Sequence, residues 1–429
     1  MPTQYKNEQN KKNKMSELYK LPAGWEWKKL DDVCSFVRGP FGGSLKKNEF
    51  TSDGYAVYEQ SHAIYNSFSD IRYYIDARKF QQMQRFKILP NSIIMSCSGT
   101  IGKLSIVPNN IKNGIINQAL LMLTVNNSLL NIYLKLMMES SFFQNLLSQN
   151  TTGAAIKNIA SVKVLKNLNI PLPPLAEQKR IVAKLDSLFE KIDKAIELHQ
   201  QNITNANTLM ASTLDKTFKK LEGEYGNKTL SDSVENPKKD IVDGPFGSNL
   251  KATEYIQKGV PIIRIQNIQR LEFINKDIKF VSEEKAEFLK RHSFIASDIV
   301  ITKLGEPLGK SCIVPDNLER GIIVADIIRV RVDSSKSKNK YIMYAINSAI
   351  AINQFSENSM GSTRQRVKLS IVRDLKIPLP PLAIQQQTVE YLDSIATKVD
   401  KIKQLNEQKL ENLKALKASI LDKAFRGEL

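Results

Sequence analysis

One motif occurs twice in this chain, and it constrains the fold more than any other feature. Residues 170–182 read IPLPPLAEQKRIV, and residues 377–389 read IPLPPLAIQQQTV, 207 positions later. The same offset relates the Leu-Asp-Lys triplet at 214–216 to the triplet at 421–423. A fixed offset over such distances is typical of a duplicated structural unit. The sequence therefore predicts two copies of one fold within a single chain.

Each copy of the motif begins a long amphipathic helix. Apolar residues recur every three or four positions from Ile181 to Leu221, and again from Leu392 to Ile420. This spacing is typical of a coiled-coil seam. A helix with such a stripe must bury it against a partner, and the other copy is the partner at hand.

The connectivity predicts the direction of the two helices. The first leads from the first domain to the second, so the second must run back, which gives an antiparallel pair with an internal two-fold axis. His199 and Asn406 occupy equivalent positions 207 residues apart. We expect them to form a polar layer that fixes the register of the coiled coil; the alternative is that both face solvent.

A mixed α/β domain precedes each helix. Helical patterns cover 131–147 and 340–355. Short apolar and β-branched runs predict strands at 56–58, 92–97, 104–107 and 115–125, and at 261–265, 298–302, 312–314 and 322–332. The predicted fold class is α/β (α+β), with two repeated mixed α/β domains separated by two long helices that form an antiparallel coiled coil.

The charge balance points to a polyanionic partner. Lys and Arg total 62 against 44 Asp and Glu, a net charge of +18, which favours nucleic acid; a solvated lysine surface is the alternative. Three scattered cysteines and three histidines argue against a disulfide framework or a zinc site and fit a reducing cytoplasm. We expect no signal peptide, and the apolar runs fall short of the ~20 residues that a membrane span needs.

Catalytic motifs are weak in this sequence. Gly305–Ser311 reads GEPLGKS, with three residues between the glycines where a phosphate-binding loop has four. Its repeat partner, Gly99–Leu104, lacks the hydroxyl residue after the lysine. No methyltransferase or nuclease motif stands out. We therefore expect a non-catalytic chain that binds no metal or cofactor of its own.

Polar and basic residues in the predicted loops are the candidate DNA contacts. Lysine supplies point charges for phosphate, whereas Arg, Gln and Asn can make bidentate bonds to base edges. The candidates of the first half are Lys46, Lys47, Gln60, His62, Lys103, Asn117, Gln118 and Lys157. Those of the second half are Lys251, Arg264, Gln266, Asn267, Lys303, Lys310, Arg364, Gln365 and Arg366. A Gly-Pro-Phe-Gly sequence at 39–42 and 244–247 predicts either a structural turn or a phosphate-contacting loop.

These features together resemble the specificity (S) subunit of type I restriction–modification systems. The motifs that carry the resemblance are LPAGWEW at 21–27, both GPFG turns, both PLPPLA elements, EQKRIV at 177–182 and FRGEL at 425–429. The second copy departs from the pattern at Ile384, which replaces Glu177, and at Gln386-Gln387, which replaces Lys179-Arg180.

The resemblance implies a DNA-binding chain in which each of two target recognition domains reads one half of a bipartite site. The helices act as a spacer that sets the gap between the half-sites. Two methylation (M) subunits and restriction/translocase (R) subunits would dock on it, and S-adenosylmethionine, ATP and Mg would bind to those partners only. The expected boundaries are a disordered tail 1–17, domain 1 at 18–169, a spacer helix 170–222, domain 2 at 223–376 and a spacer helix 377–429.

Three other interpretations share parts of this pattern. A type IIB-like specificity protein would use the same two-domain plan with a fused cutting and methylating partner. A coiled-coil protein-interaction scaffold would explain the helices but not the charge. An enzyme in its own right would depend on the Gly-Lys-Ser sequence at 309–311.

Overall fold

The computed structural model describes residues 19–149, 162–359 and 365–429. The chain divides into two compact units. The first takes in the chain up to Leu198 and the segment Lys409–Leu429, and the second is His199–Gln408. Each unit therefore contains one α/β domain together with part of each long helix. The predicted tail, 1–17, and the candidates Lys157 and Arg364 lie outside the described residues.

The domain of the first unit combines small sheets with short helices. Its strands are β1 (Glu26–Lys29), β2 (Cys34–Arg38), β3 (Tyr55–Tyr58), β4 (Tyr74–Ile75), β5 (Ile93–Ser96), β6 (Leu104–Ile106), β7 (Gly114–Ile116), β8 (Leu120–Val125) and β9 (Asn169–Leu172). Its helices are α1 (Leu30–Val33), α2 (Gln60–Tyr65), α3 (Ala77–Gln82), α4 (Asn131–Glu139), α5 (Ser141–Gln149) and α6 (Val162–Lys166). The first long helix, α7 (Leu175–Tyr225), follows.

Three sheets organise this domain. An antiparallel sheet has the strand order β2-β8-β5-β6, and a second sheet has the order β4-β3-β7, in which β3 and β7 are parallel. Strand β1 pairs with β9 directly before the long helix. The principal core lies between the first sheet, helices α4 and α5, and the apolar faces of the long helices.

The second unit repeats this plan. Its strands are β10 (Asn227–Thr229), β11 (Ile241–Asp243), β12 (Val260–Ile263), β13 (Ile268–Gln269), β14 (Glu272–Phe273), β15 (Lys279–Val281), β16 (Ser293–Ile295), β17 (Ile299–Thr302), β18 (Ser311–Ile313), β19 (Arg320–Ile323), β20 (Ile327–Val330) and β21 (Lys376–Pro378). Its helices are α8 (Pro237–Asp240), α9 (Glu283–Phe288), α10 (Asn339–Ile346), α11 (Ala349–Glu357), α12 (Leu369–Arg373) and the second long helix α13 (Leu382–Arg426).

The sheets of the second unit have the same strand orders as those of the first. The order β11-β20-β17-β18 matches β2-β8-β5-β6, and β15-β12-β19-β16 extends the pattern of β4-β3-β7 by one strand. Strand β10 pairs with β21 as β1 pairs with β9. A small hairpin, β13–β14, is added after β12. The predicted duplication of one mixed α/β fold is confirmed.

One predicted strand and one predicted helix in each copy are wrong, because each is divided into two elements for a local reason. The predicted strand 115–125 is two strands, β7 and β8, because Asn117 turns the chain by accepting a hydrogen bond from Ala119 N at 3.0 Å. The stretch 322–332 is divided in the same way into β19 and β20. The predicted helix 131–147 breaks at Ser140, whose extended backbone ends α4 and whose hydroxyl donates to Met137 O at 2.6 Å; Ser348 repeats this break between α10 and α11.

Within each unit the long helices run antiparallel, as predicted. In the first unit, the ammonium of Lys417 lies 2.7 Å from the Asp193 carboxylate, and Arg180, earlier on α7, donates to the O of Leu429, which follows the end of α13. In the second unit His199 lies beside Asn406, and Leu221 lines a cavity with Ile384. Residues of increasing number along α7 therefore lie beside residues of decreasing number along α13.

The predicted contact between His199 and Asn406 is confirmed. His199 Nδ1 lies 2.7 Å from Asn406 Oδ1, and both side chains are half-buried. The apolar spacing predicted between Leu392 and Ile420 includes Ile402 and Leu416, and for these two the prediction is wrong: they are 40% and 47% exposed. The seam of α13 is built by Val399 and Leu410 among others. The register-fixing role of the polar layer and the internal two-fold axis stay predictions.

A buried glutamine attaches each long helix to the domain before it. Gln178 Oε1 accepts a hydrogen bond from Leu130 N at 2.8 Å, at the start of α4. Its amide donates to Ser128 O and Pro173 O, both at 2.9 Å. One buried side chain thus pairs three backbone groups that lie at or below the surface.

Gln385 makes the equivalent contacts in the second unit. Its Oε1 accepts from Lys338 N at 3.0 Å, at the start of α10, and its amide donates to Lys336 O at 3.3 Å and Pro380 O at 2.9 Å. The glutamine of the repeated Pro-Pro-Leu-x-x-Gln motif is therefore a helix cap that joins the spacer to its domain.

An aspartate at the far end of the other long helix completes each attachment. Asp422 of α13 accepts a hydrogen bond from Ser141 N at 2.9 Å, at the start of α5. Asp215 of α7 accepts from Ala349 N at 2.8 Å, at the start of α11. A carboxylate at a helix N-terminus satisfies an unpaired N–H and meets the positive end of the helix dipole. The repeated Leu-Asp-Lys triplet is thus explained by helix capping.

The first unit also packs its two end segments together. Tyr19 donates its hydroxyl hydrogen to Phe425 O at 2.6 Å. A Cβ on Gly427 would lie 2.1 Å from Pro22 Cγ, so that close packing requires glycine there. In the part of the chain that the structure describes, no helix is both long and apolar enough to cross a membrane.

Candidate nucleic-acid interface

In the first domain, the segments that follow β2, β3, β5 and β7 emerge at one edge of the sheets. Backbone hydrogen bonds join them: Gly39 N to Leu120 O at 3.0 Å, Asn117 N to Tyr58 O at 2.9 Å and Cys97 N to Ala119 O at 2.8 Å. We call this surface the loop edge of the first domain; it consists of residues 39–47, 59–62, 97–103 and 117–119.

The second domain has an equivalent loop edge, made by the segments after β11, β12, β17 and β19. Gly244 N donates to Ile327 O at 2.9 Å, Val324 N to Ile263 O at 3.2 Å and Lys303 N to Asp326 O at 2.8 Å. Its residues are 243–251, 264–267, 303–310 and 324–326, with 365–367 held beside them because Val367 N donates to Lys303 O. The described candidates from the sequence therefore come together on two equivalent edges.

The Gly-Pro-Phe-Gly turns form the rim of these edges. A Cβ on Gly39 would lie 1.8 Å from the carbonyl oxygen of Asn117, and a Cβ on Gly244 would lie 1.9 Å from that of Val324. Only glycine permits this approach of two backbones. The first glycine of each turn is therefore structural, which supports the turn interpretation of the motif.

Exposed lysines line the loop edge of the first domain. Lys46, Lys47 and Lys103 are exposed. Glu49 is engaged by the ammonium of Lys79 at 2.6 Å and by the backbone N–H of Lys46 at 2.7 Å. Those hydrogen bonds, from Lys79 first, lower the pKa of the Glu49 carboxyl. Among the described residues, no carboxylate lies within ion-pair distance of the three exposed ammonium groups, so they can meet phosphate.

In the second domain, one carboxylate orients the side chains that are candidates for reading bases. The guanidinium of Arg264 lies 2.8 Å from the Asp277 carboxylate, and the amide of Gln266 donates to the same carboxylate at 3.3 Å. Hydrogen bonds from Lys279 and then Arg264 hold the pKa of Asp277 well below its usual range. The carboxylate therefore stays charged and orients two side chains of the kind that read base edges.

Ion pairs also hold two further cations of the second edge. Lys303 Nζ lies 2.9 Å from an Asp243 carboxylate oxygen, and Arg366 lies 3.2 Å from Asp326. Lys251 and Gln365 are exposed, whereas Lys310 is half-buried. A Cβ on Gly309 would meet the Phe355 ring at 2.1 Å. Packing against Phe355 therefore accounts for Gly309, and no phosphate-binding loop is needed to explain it.

Two candidates are corrected, because the fold uses their side chains internally. His62 is 2% exposed; its Nδ1 accepts from Glu59 N at 2.9 Å and its Nε2 lies 3.0 Å from Asp70 O. Asn267 is fully buried and caps Arg264 N at 3.0 Å. Both residues cap a short helical turn at the same place in the repeat, so the prediction that they contact DNA is wrong.

The remaining candidates of the first edge are divided between the core and the surface. Asn117 is 8% exposed, and its Oδ1 accepts the hydrogen bond from Ala119 N within the turn. Gln118 is exposed. Gln60 is half-buried, and its Oε1 is buried without a hydrogen-bond partner among the described residues. Gln118 is therefore better placed than Asn117 to reach a ligand.

Sequence reasoning missed three residues of these edges. Phe41 and Phe246 are 90% and 84% exposed at equivalent places in the two turns. Asp277 was not a candidate because it is acidic, yet it organises Arg264 and Gln266. The repetition of Phe within a turn sequence, where polar residues are usual, was the signal that could have identified the first two.

Two stretches of the chain, residues 22–208 and 239–414, match the family described as the type I restriction modification DNA specificity domain. This chain belongs to that family. The two matches coincide with the two copies of the fold and extend into both long helices. The sequence resemblance to specificity subunits is confirmed.

Characterised members of the family resemble the chain over nearly its full length. The type I restriction enzyme MjaVIII specificity subunit of Methanocaldococcus jannaschii is 24% identical, over 96% of this chain and 94% of its own length. The EcoKI specificity subunit of Escherichia coli strain K12 is also 24% identical, over 96% of this chain and 90% of its own length.

Solved structures share the fold. A chain from a type I R-M system, solved in a study of complex assembly and conformational transition, superposes with a TM-score of 0.72 at 21% identity, over 96% of this chain and 100% of its own. The HsdS subunit from Thermoanaerobacter tengcongensis superposes with a TM-score of 0.53 at 21% identity, over 96% and 99%. At this identity the likeness establishes the architecture.

Proposed function

We propose that this chain is the DNA-recognition subunit of a type I restriction–modification complex and that each domain reads one half of a bipartite duplex site with its loop edge. The observation that carries the proposal is the pair of equivalent loop edges, which present different side chains on the same scaffold. Equivalent placement provides two readers, and different side chains allow two different half-sites.

The long helices act in this proposal as the spacer. Gln178 and Asp422 fasten the first domain to both helices, and Gln385 and Asp215 fasten the second domain to both. Rigid attachment means that the length of the helix pair determines the number of base pairs between half-sites. Readers of this kind meet major grooves about one DNA turn, or ~34 Å, apart.

In this proposal the partner subunits carry out the catalytic steps. Two methylation subunits carry S-adenosylmethionine, and restriction/translocase subunits use ATP and Mg. This chain supplies sequence recognition and a docking surface and is not itself catalytic.

Modification-aware sequencing of host DNA, with and without the gene, tests the proposal directly. We expect a methylated bipartite motif that disappears with the gene. Replacing residues 18–165 with the same segment of another family member should change one half-site only, and removing one helical turn, ~3.6 residues, from both long helices should change the gap only. A change in both half-sites after the domain exchange would refute independent reading.

Salt dependence separates DNA recognition from a protein-interaction scaffold. Neutralised phosphates release counterions, so log Kd should rise steeply with log salt concentration. Replacing Lys46 and Lys47 by Ala should lower that slope by about 1 for each phosphate contact removed. Lys179→Ala, an exposed lysine on α7, is the matched control. A scaffold would show weak binding without a preferred sequence.

A further inference from the structure

Each loop edge exposes one phenylalanine almost completely. Phe41 is 90% exposed and Phe246 is 84% exposed, more than any other large apolar side chain in the described ranges. They occupy the same position of the two Gly-Pro-Phe-Gly turns, 205 residues apart. The fold thus leaves an aromatic ring in solvent twice, at equivalent places and without any apolar cover of its own.

Backbone contacts hold both turns in place. Each preceding glycine packs against a neighbouring carbonyl, and the intervening proline fixes φ. Ser44 N donates to Phe41 O at 2.8 Å, and Asn249 N donates to Phe246 O at 2.8 Å, so both turns close in the same way. The rings are therefore presented by a tightly packed turn.

Exposed lysines follow both rings in the chain. Lys46 and Lys47 follow Phe41 in the same segment, and Lys251 follows Phe246; all three are exposed. An exposed aromatic ring followed in the same loop by exposed lysine complements a ligand that is anionic outside and apolar inside. Duplex DNA has this character, because stacked bases lie behind two lines of phosphates.

We propose that Phe41 and Phe246 are wedge residues, each of which inserts between two adjacent base pairs of the half-site that its domain reads, while the neighbouring lysines bind the flanking phosphates. Apolar side chains inserted in this way partly unstack and kink a duplex. The inference rests on the proposed function and adds to it a mechanical role for the turn.

The wedge has a consequence for recognition and for the partners. Pyrimidine–purine steps unstack at the lowest cost, so each half-site should contain such a step at the position of the ring. Enzymes that modify a base take it out of the stack, and prior unstacking lowers the cost of that step. The turn would therefore both select sequence and prepare the DNA for the methylation subunits.

The test uses the full chain assembled with its methylation subunits. The probe is a duplex that carries the motif mapped by modification-aware sequencing, with 2-aminopurine placed at successive positions of one half-site. For the unaltered chain we expect a fluorescence increase at one step in each half-site. Phe41→Ala should abolish the increase in one half-site and raise Kd about 10-fold, the loss expected for one stacked ring; Phe246→Ala should do the same in the other half-site.

Matched variants separate the wedge from a general loss of aromatic surface. Tyr65→Ala and Phe288→Ala remove rings that are 76% and 69% exposed but lie outside the loop edges, and should leave Kd and fluorescence unchanged. Phe41→Leu keeps an apolar wedge and should retain much of the unstacking. All these positions are exposed, so thermal stability should be unaltered.

The outcomes distinguish the wedge from the proposed function. An unaltered chain that binds no mapped motif would refute the proposed function itself. Sequence-specific binding without any 2-aminopurine increase, or with an increase that survives Phe41→Ala and Phe246→Ala, would overturn the wedge alone. Weaker association with the methylation subunits in the absence of DNA, with the Kd of the assembled complex for DNA unchanged, would instead assign the rings to a protein contact and overturn the wedge.

Discussion

The two domains are fastened to the helices in the same way but differ where they face a ligand. Gln178 and Gln385 each make three equivalent hydrogen bonds. Where the chain enters the loop edges, by contrast, the last residue of β2 is Arg38, whereas that of β11 is Asp243. What is retained between the copies is therefore attachment, and what differs is the surface that would read DNA.

The added hairpin of the second domain extends this contrast. Strands β13 and β14 follow Arg264 and Gln266, and the chain then reaches Asp277, which orders both side chains. In the first domain the position of Arg264 is taken by Glu59, whose backbone N–H is capped by His62. The same capped turn thus presents an arginine in one copy and a glutamate in the other, which is how one scaffold can recognise two sequences.

The strongest test of equal attachment removes the buried glutamines. Gln178→Ala and Gln385→Ala each remove the side-chain partner of one half-buried N–H and of two carbonyls, one of them buried, at a cost of about 3 kcal/mol. Urea unfolding followed separately for each unit should show that each variant destabilises mainly its own unit. Lys179→Ala and Gln386→Ala, exposed neighbours on the same helices, should have little effect. A large loss of stability for one glutamine variant and a small loss for the other would show that the two attachments are not equivalent.

The two turn glycines should also behave alike. Gly39→Ala and Gly244→Ala force a Cβ against a carbonyl, and overpacking of this kind costs about 2 kcal/mol or shifts the turn. Gly43→Ala and Gly247→Ala place a Cβ in open space and serve as controls. Thermal unfolding would measure the difference between the pairs. Equal stability of all four variants would contradict the backbone contact.

Loss of the capping aspartates should have a smaller effect. Asp422→Ala and Asp215→Ala each remove a helix cap made by a half-buried carboxylate, at a cost of about 1 kcal/mol. Asp186→Ala, an exposed aspartate on α7, controls for lost charge. Hydrogen exchange of α5 and α11 should increase only in the variant that uncaps the helix concerned; unchanged protection would exclude the capping role.

The interaction between His199 and Asn406 should contribute only weakly to the free energy of unfolding. A double-mutant cycle with His199→Ala and Asn406→Ala should give an interaction free energy of about 1 kcal/mol, because both side chains are half-buried. The unfolding free energies of the two single variants and the double variant measure it. An interaction near zero would mean that the contact contributes neither stability nor register.

The smallest effect is expected for thiol chemistry. Burial raises the pKa of Cys97 to about 11 and that of Cys312 to about 12, so little thiolate exists near neutral pH. Alkylation of each cysteine should therefore follow local opening of its own domain. Mass spectrometry of the labelled peptides would compare the two rates; fast reaction of either thiol in the folded chain would contradict its burial.

Much of the architecture could be predicted from periodicity alone. The repeat of Pro-Leu-Pro-Pro, the helical spacing of apolar residues and the connectivity were enough to predict two similar domains, antiparallel helices and the contact between His199 and Asn406. Such features are carried by spacing along the chain, which a single sequence displays in full.

The identity of the ligand-facing side chains was decided only by tertiary structure. His62 and Asn267 have the residue types of DNA contacts, yet each is buried and paired with backbone groups outside its own helical turn, at Asp70 and Lys276. Asp277 and the two exposed phenylalanines did not resemble contacts, yet they shape the loop edges. Burial and pairing depend on which distant segments meet, whereas periodicity depends only on neighbours in the chain; for that reason the sequence alone determined the scaffold, and the fold decided which side chains are left to face a ligand.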